Sequence, residues 1–116
     1  MIEFPNDVIT ELASIRQQSE KGVQILADSE TKYVNLELDA DKAEYSAFLD
    51  AQGNVAERTA LSKLLSLDKR REAELAKVEV NRVKTKLRQL SEALHATQTA
   101  GKMIELQWKT AGAGER

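Results

Sequence analysis

The sequence predicts an all-α protein: a long antiparallel helical hairpin, built as a coiled-coil stalk, with a short third helix at the connecting end. Three observations predict it. The single proline is Pro5, and the 116 residues include only five glycines, so no proline interrupts either long stretch of helix-forming residues. Two apolar seams with alternating steps of three and four residues run along the two arms of the chain. Between the seams stands one cluster of turn residues, Gln52-Gly53-Asn54.

The first helix is expected over about 6–51, with Asn6 or Asp7 as its N-cap. Its seam is Val8, Leu12, Ile15, Ser19, Gly22, Leu26, Ser29, Tyr33, Leu36, Ala40, Ala43 and Ala47. Small residues in the middle (Ser19, Gly22, Ser29) permit a partner helix to approach closely. Asp41 with Glu44 resembles a helix-starting pair, which makes a kink near Asp39–Asp41 an open alternative. Gly53 suits the positive-φ stop of this helix, and Asn54 with Glu57 suits the start of the next. That short helix is expected over about 55–65, with Leu61, Leu64 and Leu65 as its apolar side.

A further cap at Ser66-Leu67-Asp68 opens the last helix, over about 68–109. Its seam is Ala73, Ala76, Val80, Val83, Leu87, Leu90, Leu94, Thr97, Gly101, Ile104 and Trp108, and a frayed tail is expected over 110–116. Helices of this length extend about 60–70 Å each at a rise of roughly 1.5 Å per residue. Extra apolar residues crowd near the turn: Val34, Leu38, Tyr45, Phe48, Leu49, Leu75 and Val78, besides Leu61 to Leu67. They predict a three-helix head at that end of a single domain. A two-helix stalk buries little surface by itself, so a homo-oligomer is expected.

The composition narrows the classes of function. The hydrophobic fraction is 41% and the charged fraction 31%, which suits a folded protein with much exposed surface. With no Cys, disulfides, thiolate metal sites and a Cys nucleophile are excluded. His95 is the single histidine, which excludes a multi-histidine metal cluster, and it falls on an outer helix position. No glycine-rich phosphate loop, nucleophile elbow or H-E-x-x-H is present. A cation site at Glu37, Asp41 and Glu44 competes with salt bridges and caps by the same residues. The expectation is a protein that is not an enzyme and has no cofactor, metal or small-molecule substrate. With neither a signal peptide nor a membrane span in evidence, a cytoplasmic location without membrane attachment is expected.

Charge divides the chain. Residues 1–57 hold 4 basic and 12 acidic side chains, and residues 58–116 hold 13 basic and 7 acidic. In heptad register, Glu30, Glu37 and Glu44 fall at e, as do Lys77 and Lys84; e faces e in an antiparallel pair, so the arms attract. Arg70, Arg71, Arg82, Arg88 and Lys102 are then the candidate nucleic-acid contacts, although no aromatic residues are interleaved for base stacking. Trp108 has two readings: packing against Val8, Phe4 and Ile2 at the open end, or anchoring a partner.

The turn motif Gln52-Gly53-Asn54-Val55-Ala56-Glu57-Arg58, with Ala43-Glu44-Tyr45 before it and Leu90-Ser91-Glu92-Ala93-Leu94-His95-Ala96-Thr97-Gln98 after it, resembles small helical proteins of tailed bacteriophages. These are encoded near single-strand annealing recombinases or replication genes, and the likeness covers about Tyr33 to Trp108. It implies a non-enzymatic accessory protein that oligomerises and binds a protein partner in DNA recombination or replication within the host cytoplasm. Arg58 then either braces the turn or touches that partner. Two alternatives stand beside this: a nucleic-acid binder using the basic last helix, and a structural spacer or phage inhibitor of a host protein.

Overall fold

A computed structural model describes residues 5–114, with side chains from 6 to 111. Three helices make up the described chain: α1 (Pro5–Asp50), α2 (Val55–Leu65) and α3 (Leu67–Gly114). Their contacts group into a terminal unit, Met1–Gln24 with Thr85–Arg116, and a turn unit, Ile25–Lys84.

In the terminal unit the two long helices run antiparallel, and the glycines show the register. Gly22 lies against Leu87 and Gly101 against Val8, so a step from 8 to 22 along α1 is matched by a step from 101 to 87 along α3. Equal and opposite steps of two heptads are the signature of a coiled-coil seam. A Cβ on Gly101 would sit 3.0 Å from Val8 Cγ1, so the absent side chain is what permits this approach. Val8, Ile15, Thr97 and Ile104 are buried here. Every expected seam residue of α1, from Val8 to Ala47, is buried or half-buried, as is every one on α3 from Ala73 to Ile104.

Several local expectations are corrected. α1 begins at Pro5, so Asn6 and Asp7 lie within its first turn instead of capping it, and Asp7 favours the helix dipole there. Of the two readings at Asp39–Asp41, the structure shows the continuous one: α1 runs uninterrupted through it, with Ala40 at 0% exposure on the seam. The tail expected from residue 110 stays helical to Gly114. Thr110 Oγ1 donates to Leu106 O at 3.0 Å or less (2.9 Å), and Lys109 pairs with Glu105 one turn back.

In the turn unit, Gly53 holds φ 113°, a region that L side chains rarely adopt. Asn54 caps α2: its Oδ1 accepts from Glu57 N at 2.9 Å, and its Nδ2 donates to Glu57 Oε1 at 3.0 Å. Such a cap contributes about 1 kcal/mol. α2 and α3 are separated by Ser66 alone (φ −93°, ψ 1°). Helical bonds persist on both sides of it, from Ser66 N to Ser62 O and from Arg70 N to Ser66 O. The cap expected at Ser66–Asp68 is therefore a one-residue break in an almost continuous helix.

The third helix stands at the connecting end as expected, but its leucine side does not face inward. α2 buries Ser62 and Ser66, each 2% exposed, and turns its leucines outward, Leu64 being 66% exposed. Both serines satisfy their hydroxyls on backbone carbonyls, Ser62 on Thr59 O and Ser66 on Ser62 O, each at 2.8 Å. The small side chains of α2 face inward and the bulky ones face solvent.

Candidate functional site

Phe48 O is among the last four carbonyls of α1, which have no acceptor role within the helix. Arg58 crosses from α2 to supply the donors: Nε and Nη2 reach that oxygen at 3.2 and 3.0 Å. Its guanidinium also lies 4.3 Å from the centroid of the Phe48 ring. α1 has no basic residue in its own last turn, so Arg58 provides the positive charge that the dipole favours. Of its two expected roles, bracing the turn is the one these contacts fill.

Arg70 is likewise engaged. Its Nη2 donates to Asp41 Oδ1 at 2.8 Å and to Glu44 Oε2 at 3.2 Å, and the hydrogen bond to Asp41 leads the causes that raise its pKa. Glu44 and Arg70 both occupy e, so an acid of α1 does meet a base of α3 across the pair. The residue expected there was lysine. Among the described residues Lys77 and Lys84 form no ion pair, and Arg70 takes two carboxylates at once through its Nη2. Asp41 and Glu44 are thereby occupied, and among the described residues no cluster suits a metal ion.

The other candidate cations divide between the two units. Arg71 and Arg82 are exposed in the turn unit, Arg82 pairing with Glu79 at 3.3 Å, and Arg88 and Lys102 are exposed in the terminal unit. Trp108 remains 60% exposed; Phe4 and Ile2, its other expected neighbours, lie outside the described residues. With Lys102, Val8, Leu12, Gly101 and Ile104 it lines an open groove of about 780 Å³.

What sequence reasoning misplaced is the apolar surface of the turn unit. Val34, Leu38, Tyr45 and Leu49 on α1 are exposed, as are Leu61, Leu64, Leu65, Leu67, Leu75 and Val78 on α2 and α3. The spacing held part of the signal: Val34, Leu38 and Tyr45 share the outer face of α1 with Asp41, and Leu61, Leu64, Leu75 and Val78 share that of α2 and α3 with Asp68, Arg71 and Arg82. The Tyr33 phenol is held above its ordinary 10.0, first by hydrogen bonding to Glu37, then by burial and the charges of Glu37 and Glu74. No helix among the described residues is long and apolar enough to cross a membrane.

Compared with protein-family models, curated proteins and solved structures, the chain matches none.

Proposed function

We propose that this chain is a non-enzymatic helical module that binds protein through the outward apolar face of its turn unit. One observation carries the reading: α2 buries serines and exposes leucines, an arrangement that is costly in water unless another surface covers it. The face is rigidly presented, because Arg58 and Arg70 lock α2 and α3 onto α1. The bacteriophage resemblance of the Gly53–Arg58 turn extends the proposal to a class of partner, a DNA recombination or replication protein.

A photo-crosslinking residue at position 64, placed in the protein in its native cells, tests this. Crosslinks to protein at position 64, and far fewer from position 88 on the charged surface, are expected. The competing outcome is DNA retention at about 50 mM salt that falls by orders of magnitude at about 200 mM and is lost in Arg71→Ala/Arg82→Ala. That result, without protein crosslinks at position 64, overturns the proposal in favour of a nucleic-acid function.

A further inference from the structure

We propose that the Trp108 groove of the terminal unit is a binding site for a free single-chain amphiphile with an anionic head, such as a fatty carboxylate. This site goes beyond the role given to the turn unit and does not rest on it.

The lining fits the chain of such a ligand. Val8 and Ile104 are buried at 8% and 7% exposure, and Gly101 adds no side chain beside Val8. Ile9 and Trp108 also line the groove, while 65% and 60% exposed. A volume of about 780 Å³ suits a small ligand, whose sites are mostly apolar with a few polar groups. From Gln98 to Trp108 the α3 lining runs about 15 Å along the helix, the reach of a medium-length alkyl chain. Beyond it the same side of the pair turns polar, with Arg16 on α1 and Ser91 and His95 on α3. The apolar surface ends with the groove, which favours a ligand that ends there over a long partner helix.

The head is assigned by charge. Ile9, Gln98 and Glu105 occupy e, and Lys102 and Lys109 occupy b, so the groove lies on the e side of the pair. Its lining thus holds two lysines and one acid. Glu105 Oε1 lies 3.1 Å from Lys109 Nζ, so that acid is already matched. Lys102 is exposed and, among the described residues, forms no ion pair, which leaves it as the surplus charge. All the described e and b residues of the terminal unit give the same sign: Arg16, Arg88, Lys102 and Lys109 against Glu20 and Glu105. The g and c positions balance, with Lys21 and Lys86 against Asp7 and Glu11. An anionic head therefore finds its counter-charge on the side that holds the groove, and a cationic head does not.

Trp108 is the single tryptophan of the chain, so its emission reports on the groove alone. Laurate, titrated into the full chain below its micellar concentration, should shift that emission to the blue and saturate at one molecule per chain. Acetate, a head without a chain, should leave it unchanged. Dodecyltrimethylammonium, a cationic head on a similar chain, should bind roughly tenfold more weakly. Lys102→Glu should weaken laurate roughly tenfold and Ile9→Ser roughly threefold, with helical circular dichroism unchanged. If either variant loses helix, the alanine version at that position replaces it. Equal binding of the two long-chain probes, or laurate binding untouched at Lys102, would overturn the anionic site. A blue shift with anionic phospholipid vesicles and none with laurate would overturn it in favour of a membrane surface. Emission that moves to the blue with protein concentration alone, in step with a dimer in sedimentation, would overturn it in favour of a second copy. Emission already blue in the monomer, and moved to the red by Ile2→Ser/Phe4→Ser, would overturn it in favour of the chain's own first residues. Crosslinking at position 64 is read separately, so failure here leaves the proposed function standing.

Discussion

The terminal and turn units use the same two helices in different ways. In the terminal unit, α1 and α3 close on one another through Gly22 and Gly101, with Ile15 and Ile104 buried between them. In the turn unit the interhelical contact includes a charged lock, Arg70 on Asp41 and Glu44, and the residues that α2 buries are serines. Among the described residues, large exposed apolar side chains number five in the terminal unit and twelve in the turn unit.

The comparison can be broken most directly at Ile15, which is 3% exposed. Ile15→Ala should destabilise the chain by roughly 2–5 kcal/mol, read by urea denaturation at a fixed protein concentration. Leu64→Ala should change monomer stability by less than about 0.5 kcal/mol, because that side chain is already in water. Equal effects at the two positions would erase the distinction between the units. Gly53→Ala comes next, at roughly 1–3 kcal/mol, since it forces a side chain into positive φ and against the Glu57 carboxylate.

Arg70→Gln should cost about 1 kcal/mol, for the pair is partly exposed, with side chains 33%, 40% and 26% accessible. The loss should shrink in 1 M salt; a cost that persists there would assign Arg70 a packing role and weaken the contrast between the units. The smallest effect concerns Tyr33. Its folded pKa is raised, so its contribution to stability is complete below about 10 and is lost as pH climbs through the folded value. Absorbance at 295 nm should show Tyr33 ionising above 10.0, and Glu37→Gln should bring that step down.

Both long helices and their inward faces were legible because burial on a helix follows rotation, and rotation is written in the three-four spacing. The turn was legible for a similar reason: Gly53 and the Asn54–Glu57 cap are local chemistry, complete within a few residues. The bracing role of Arg58 was one of two readings, and choosing it required knowing that Phe48 O comes within reach across the turn. The candidate nucleic-acid set could not be judged from charge alone. Whether Arg70 is free depends on which carboxylates lie beside it, and Asp41 and Glu44 are 29 and 26 residues away.

By itself, then, the sequence determined the all-helical class, the antiparallel hairpin, the stop at Gly53 and the positions that face inward, all consequences of period and local backbone preference. Only the tertiary structure decided which stripe of α2 would be buried. Its serine face and its leucine face repeat with the same helical period, so periodicity cannot choose between them. The choice depends on what lies opposite each stripe, and that belongs to the packed helices together, not to any one of them.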